Sequence, residues 1–341
     1  LPKTIFVVDD NDINLSVAKE ALKSQYRVLT VPSAARMFDL MEKITPDLIL
    51  LDIEMPEMNG FEALQLLKEN ALHSGIPVVF LTSMTDATIE ARGFEMGVVD
   101  FVAKPFSAPV LLNRIKSHLN IDEIIKERTS KLQRLQNSII YVLADMVENR
   151  DHGTGGHVDR TTAYLKVLTQ SALEQGLYTD ELGNLDFEIL VTSARLHDVG
   201  KITISDTILN KPDKLTEEEF EIMKSHTTEG ERIIEQIVSR AGEDEAFLSH
   251  AKLFAGYHHE RWDGRGYPYG LNQDDIPIQG RIMAFADVYD ALVSERPYKK
   301  AFTHEEATKI IEEGAGTQFD PHLTRIFISV EDDFRKVGQE E

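Results

Sequence analysis

Seven side chains able to bind divalent metals recur through the C-terminal half in a fixed order: His157, His197-Asp198, His226, His258-His259 and Asp287. Three of these steps lie inside dense motifs, L-H-D-V-G-K (196–201), H-H-E-R-W-D-G-R-G-Y-P-Y-G-L (258–271) and R-I-M-A-F-A-D-V-Y-D-A (281–291). Imidazole and carboxylate ligands suit Fe, Mn, Zn, Co or Ni, so residue type alone does not choose the metal. A set of this size can hold two cations close together. Such a pair is suited to hydrolysing phosphate esters, because it acidifies a shared water and stabilises charge on phosphate oxygens. Adjacency lets Asp198 bridge both cations while His197 serves one. His258 and His259 diverge by about 100° on a regular helix. They can serve one cation only where a helix ends or distorts, and the Gly-rich run from Gly264 makes such an end plausible. Lys201, about one helical turn past the His-Asp pair, reaches the same site. It is expected to act there with Asp198, holding the nucleophile or a phosphate oxygen.

A second constellation lies in the N-terminal third. Apolar runs at Thr4–Val8, Arg27–Val31, Leu48–Leu51, Val78–Leu81 and Phe101–Ala103 alternate with amphipathic stretches. That order predicts a parallel five-stranded α/β sheet covered on both faces. Asp9-Asp10 end the first run, Asp52 the third and Thr82 the fourth, while Lys104 follows the fifth, before Pro105. Ligand sites in such sheets form outside the carboxyl ends of the strands, so these five side chains should converge. Clustered carboxylates suit Mg²⁺. A lysine and a hydroxyl opposite them can neutralise a phosphoryl group carried by one carboxylate.

The elements that must position these groups follow from the same chain. Its 341 residues suggest two or three domains, and 42% hydrophobic with 28% charged residues is ordinary for soluble protein. The expected division is 1–120, an α/β domain; 121–140, a helical connector; and 141–337, an all-α bundle. The last helix of the first domain should start after Ser107, with Pro109 in its first turn. From Ile121 a glycine-free stretch carries Ile125, Leu132, Ile139 and Met146 on one heptad register and Ile121, Leu135 and Val142 on its partner, with Arg128 interrupting. This is a coiled-coil pattern; a helix packed along its own domain is the alternative, and the favoured expectation is a dimerising connector that enters the second domain as its first helix. With no cysteine, thiolate sites and disulfides are excluded. No apolar stretch is long enough to span a bilayer and the N-terminus has no signal-peptide pattern, so no membrane insertion and a cytoplasmic location are expected. A net charge of −22 argues against a nucleic-acid partner.

Residues 1–119 resemble the receiver domain of two-component response regulators, through D-D-N (9–11), Asp52, M-P-E-M-N-G (55–60), Thr82 and K-P-F (104–106). The resemblance implies a flavodoxin-like fold, a cognate sensor histidine kinase, and Asp52 as phosphoacceptor. It also implies Mg²⁺ on Asp10, Asp52 and the Glu54 carbonyl, with Asp9 assisting through water, and Thr82 and Lys104 on the phosphoryl oxygens. The Lys104-Pro105 peptide would be cis, and Phe101 would occupy the aromatic switch position.

Residues 140–330 resemble the HD-GYP branch of the HD phosphohydrolases. The match runs through R-D (150–151), T-G-G-H (154–157), H-D-V-G-K (197–201), H-T-T-E-G (226–230), the 258–271 motif, D-V-Y-D-A (287–291), R-P-Y-K (296–299) and F-D-P (319–321). This resemblance implies an HD-superfamily helical bundle, hydrolysis of cyclic di-GMP, and His157, His197, Asp198, His226, His258, His259 and Asp287 as ligands of Fe or Mn. Arg296 and Lys299 would lie against the substrate phosphates, and Tyr267 of the signature loop would shape the pocket mouth at the substrate. The loop's outer surface would dock partners such as GGDEF-type cyclases. Many relatives carry a glutamate where this chain has Gly153, and that glutamate serves a third metal. Two cations, and pGpG as main product, are therefore expected here.

His73, His118, His152, His250, His304 and His322 are read as structural. Asp290 and Glu260 either orient a histidine or serve the fold. Trp262 and Tyr267 favour packing over stacking on guanine. The rivals are an adaptor without useful turnover and a phosphodiesterase for cyclic GMP-AMP. A DNA-binding output is disfavoured by charge and by the metal motifs.

Overall fold

The structure, a computed structural model of the chain, describes residues 2–83, 87–150, 156–183, 185–241, 246–295 and 300–338. The backbone divides into two compact units, Leu1–Gln133 and Arg134–Glu341.

The first unit contains β1 (Thr4–Val8), α1 (Asp12–Leu22), β2 (Arg27–Val31), α2 (Ala34–Met41), β3 (Leu48–Asp52), α3 (Gly60–Glu69), β4 (Val78–Thr82), α4 (Ala87–Glu95) and β5 (Asp100–Ala103). The strands pair in parallel in the order β2-β1-β3-β4-β5. Every residue of β1, β3 and β4 is buried, as a parallel sheet covered on both faces requires. Alternation sorts the strand side chains onto two cores. Ile5, Val7, Leu50, Val79 and Leu81 pack with Leu15, Leu22, Leu111 and Ile115. Phe6, Val8, Ile49, Leu51 and Phe80 pack with Met37, Leu64 and Leu67. The strand order reverses at β1 and β3, and the crevice beside that switch is where Asp9 and Asp52 emerge.

A single helix, α5 (Ala108–Glu148), follows. The receiver's last helix and the helical connector are thus one continuous helix. No Gly or Pro lies between 110 and 150 to interrupt it. The division between the compact units falls along this helix, between Gln133 and Arg134. The heptad residues Ile121, Ile125, Leu132, Leu135, Ile139, Val142 and Met146 are all more than half exposed. The neighbouring face of the same helix, Ile140, Ala144 and Val147, is buried, and Ile140 packs with Leu196, Ile234 and Phe247.

The second unit is helical: α6 (His157–Glu174), α7 (Thr179–Leu182), α8 (Phe187–Ala194), a 3₁₀ turn (Val199–Thr203), α9 (Asp206–Leu209), α10 (Glu217–Lys224), α11 (His226–Ala241), α12 (Ala246–Tyr257), α13 (Ile278–Val293), α14 (His304–Glu313), α15 (Pro321–Ser329) and α16 (Glu331–Val337). Its main core stacks Tyr164, Phe285, Tyr289, Phe327 and Phe334 from α6, α13, α15 and α16. No described helix is long and apolar enough to cross a membrane.

Candidate metal centre and phosphoacceptor site

Helix ends and one short turn deliver the histidines. His157 opens α6, His226 opens α11, and His258-His259 follow the last residue of α12. His197-Asp198 sit between α8 and the 3₁₀ turn, and Asp287 lies inside α13. Because α12 ends at Tyr257, the adjacent pair escapes the helical offset, and His258, His226 and His259 bring one nitrogen each within 4.8 Å of one another. His157, His197 and Asp198 form a second group of the same dimensions. Asp287 stands outside both groups, but its Oδ1 is 3.5 Å from His157 Nε2.

Asp198 lies between the groups. Its Oδ1 is 3.4 Å from His226 Nε2 and 3.8 Å from His258 Nε2, and its Oδ2 is 3.4 Å from His197 Nε2 and 2.8 Å from Lys201 Nζ. Burial would raise this carboxyl, but Lys201 and the histidines hold it well below the usual carboxylate range. Glycine permits the approach. A Cβ on Gly200 would stand 1.8 Å from the His226 carbonyl oxygen and 2.6 Å from the Gly230 nitrogen, so only glycine lets the turn carrying Asp198 close onto α11. The glycines of H-D-V-G-K and H-T-T-E-G thus serve one contact.

Hydrogen bonding fixes which ring nitrogen faces inward. The Nδ1 atoms of His197, His226 and His258 lie 3.0, 2.7 and 2.9 Å from the carbonyl oxygens of Ala194, Met223 and Phe254. A carbonyl only accepts, so Nδ1 carries the hydrogen, and in the neutral ring Nε2 is a bare lone pair. Burial lowers His226, and lowers His258 to about 3, which keeps both rings neutral. Their Nε2 atoms nevertheless face each other at 3.3 Å, and His197 Nε2 and Asp198 Oδ1 are buried without a hydrogen bond. Lone pairs crowded together beside a carboxylate are repulsive unless an electrophile sits among them, so the donor set fits cations.

His157 is held differently. Its Nδ1 is 2.8 Å from Asp290 Oδ2, and Asp290 is in turn clamped by Arg160 Nε at 2.7 Å and Nη2 at 3.2 Å. Burial would lower His157, but Asp290 and Asp287 reverse the shift and raise it. Asp290 therefore orients a histidine. Glu260 serves the loop instead: its carboxylate accepts from the backbone N–H groups of Tyr269, Gly270 and Leu271. Tyr269 also donates from its hydroxyl to Glu231 on α11. The loop so held lays Tyr267 against His259, ring centroids 4.7 Å apart at 31°, with Lys224 Nζ 5.7 Å over the ring. Arg296 and Lys299 lie outside the described residues, as do Asp151, His152 and Gly153.

Of the histidines read as structural, His118 meets Asp100, His250 meets Gln279, His304 meets Tyr289 and His322 meets Arg325; none joins the metal groups. Sequence reasoning missed Glu148, Arg150 and Arg160. The motif R-D marked Arg150 but not its role, and nothing local marked the other two.

In the first unit, Asp9, Asp10 and Asp52 each offer an oxygen within 4.8 Å of the others. Asp9 and Asp52 are buried, Asp10 is exposed, and Lys104 Nζ bridges the buried pair at 2.6 and 2.8 Å. Burial pushes the Asp52 carboxyl up, against the pull of Lys104. Asn11 and Asn14 donate to Asp9 Oδ1. Thr82 is buried at the end of β4, and its carbonyl accepts from the Lys104 amide at 2.7 Å. The Glu54 amide donates to Asp52. Gly60, whose Cβ would stand 2.4 Å from the Asp52 carbonyl oxygen, lets α3 start against the acidic strand end. The Lys104-Pro105 peptide is cis, and Phe101 is buried against Phe80 and Phe94.

Comparison with known proteins agrees with this division. Residues 5–116 match the response regulator receiver domain family and residues 141–323 the HD domain family. A probable cyclic di-GMP phosphodiesterase of Vibrio cholerae is 39% identical over 350 residues, covering 98% of this chain and 79% of the relative. The cyclic di-GMP phosphodiesterase response regulator RpfG of Xanthomonas campestris is 38% identical, covering 81% and 73%. A 3'3'-cGAMP-specific phosphodiesterase of Vibrio cholerae is 38% identical over 203 residues, covering 60% of this chain and 36% of that protein. Fold and site together define a response regulator whose output domain is an HD domain built to hold metal. The chain belongs to the HD-domain response regulators.

Proposed function

We propose that the HD domain hydrolyses cyclic di-GMP to linear pGpG at a two-cation centre, with slow further cleavage to GMP, and that phosphorylation of Asp52 by a sensor histidine kinase controls it. The observation that carries the catalytic reading is the meeting of bare Nε2 atoms from three chain segments around Asp198. His157, His197 and Asp287 would hold one cation, His226, His258 and His259 the other, with Asp198 between them; Fe or Mn suits the set. Bound there, the pair supplies Lewis-acid stabilisation and an acidified water. The protein's own groups do the rest. Asp290 keeps His157 pointed inward. Lys201, 2.8 Å from Asp198 and partly exposed, offers a positive charge to a phosphate oxygen. Tyr267 forms the wall beside His259, and the family resemblance would add Arg296 and Lys299 as phosphate contacts. In the receiver, Asp10, Asp52 and the Glu54 carbonyl would take Mg²⁺ with Asp9 behind them, and Lys104 and Thr82 the phosphoryl oxygens.

The names of two relatives matched over more than two thirds of their length support cyclic di-GMP, and the name of a third raises the cyclic GMP-AMP alternative. Protein purified with Mn²⁺ and offered each cyclic dinucleotide separates them by product chromatography. Accumulation of pGpG from cyclic di-GMP is expected. Consumption of cyclic GMP-AMP alone, or of neither, contradicts the assignment.

Control is assigned to a dimer formed along α5. Seven apolar heptad residues stay exposed while the face beside them is buried in the chain's own core, which leaves the stripe for a second copy. Leu132→Lys with Leu135→Lys puts charge into the seam and is expected to convert dimer to monomer in light scattering, with HD-domain folding unchanged. A wild-type monomer at micromolar concentration, with or without beryllofluoride, would remove this part of the reading.

A further inference from the structure

We propose that the C-terminal end of α5 is a positioning device for the metal centre, in which Glu148 holds His157 and Arg150 holds the turn that carries Lys201. The inference rests on the reading of His157 as a metal ligand. Helix α6 begins at His157, and its cap residue Gly156 has φ 77° and no side chain to bind the first amides. Amides at a helix start need an outside acceptor. Glu148 supplies it: Oε1 accepts from the His157 amide at 2.6 Å and Oε2 from the Val158 amide at 3.3 Å. A carboxylate there also complements the positive end of the helix dipole. The His157 ring is pinned at Nδ1 by Asp290, but its backbone is pinned by α5.

Arg150, just past the end of α5, reaches the other side of the same centre. Its Nη1 donates to the carbonyl oxygens of Lys201 and Ile202 at 3.4 and 2.9 Å; its Nη2 donates to that of Ile204 at 3.1 Å and to Asp206 Oδ1 at 2.7 Å. A 3₁₀ turn of five residues has few strong bonds of its own, so a planar guanidinium across its carbonyls fixes where Lys201 starts. Glu148, His157, Asp198 and Lys201 line one crevice together with Ala144 and Val147 of α5. Neither Glu148 nor Arg150 belongs to the donor groups around Asp198, so each acts through a neighbour. The helix that enters the domain is thereby built into two of the segments that make the site.

Calorimetric titration of the full-length, metal-stripped protein with Mn²⁺ tests the inference, alongside melting of the metal-free protein. Glu148→Ala is expected to weaken one of two Mn²⁺ binding events by about tenfold, the size of effect that removal of an orienting partner has. Glu148→Gln, which keeps one acceptor oxygen, should lose less. Arg150→Lys should keep both Mn²⁺ affinities and lower kcat at unchanged KM. A purely structural role would lower the metal-free melting temperature while leaving Mn²⁺ affinity alone in Glu148→Ala and kcat alone in Arg150→Lys, and either result overturns the proposal for that residue. If Glu148→Ala does not fold, Glu148→Gln decides by the same criterion. Wild type that binds two Mn²⁺ while the Glu148 variants bind them equally tightly sinks this inference only. Wild type that binds none overturns the metal reading and this inference with it.

Discussion

Asp198→Asn is expected to remove turnover by about 10³-fold or more and to lower bound metal together with it. The substitution keeps volume and changes charge. Asp198 faces His226 and His258 through one oxygen and His197 and Lys201 through the other, and among the described residues it is the carboxylate that touches both nitrogen groups. Asp287, near His157 alone among the described contacts, cannot take over. An amide in its place offers one neutral oxygen and a donor nitrogen to lone pairs that need an electrophile. Product assays with elemental analysis of the purified variant check this. Turnover within about tenfold of wild type, with two metals retained, would mean that the carboxylate is not the bridge. The effect should also exceed that of Asp287→Asn, which leaves both groups connected.

Asp52→Asn is expected to abolish acyl-phosphate formation altogether. With acetyl phosphate and Mg²⁺, wild type should gain one phosphoryl group by intact mass and the variant none. Chemistry requires a carboxylate oxygen as nucleophile, and Asp52 is placed for it at the end of β3, 2.8 Å from Lys104 Nζ. Asp9 carries the same charge but is fully buried and spends Oδ1 on Asn11 and Asn14. Asp10, exposed and adjacent, is a ligand candidate with no partner lysine at this distance among the described contacts. A variant that still gains mass would move the phosphoacceptor elsewhere. Loss of labelling with unchanged HD-domain turnover separates the receiver's chemistry from the output's.

Strands were legible because apolar runs of four or five residues between polar segments leave few alternatives, and all five appear within a residue of their expected bounds. Convergence of Asp9, Asp52 and Lys104 then followed from parallel topology alone. The candidate ligand histidines were legible in order but not in mutual geometry. That His258-His259 can serve one cation only where a helix ends or distorts follows from helical offset, and α12 stops at Tyr257. Which nitrogen each ring presents was not legible, since the carbonyls of Ala194, Met223 and Phe254 are chosen by the turn of the backbone. Arg160 and Asp290 lie 130 residues apart, and Arg150 reaches carbonyls more than 50 residues away; such partners carry no local pattern. Asp290 could be suspected from its place three residues after Asp287, yet only the fold shows which histidine it turns. Composition changes near 120 and 140, but a helix ends only where a breaker or a cap tells it to, and α5 has neither before Glu148, so one long helix runs through both positions.

Two clusters of imidazole nitrogens joined by one carboxylate make a clear demand on experiment. Protein stripped with a chelator should lose hydrolysis of cyclic di-GMP, and restoring Mn²⁺ or Fe²⁺ should return it in step with about two equivalents bound per chain. Full hydrolysis by stripped protein, or recovery that saturates while the histidine nitrogens remain unshifted in NMR, would contradict the account.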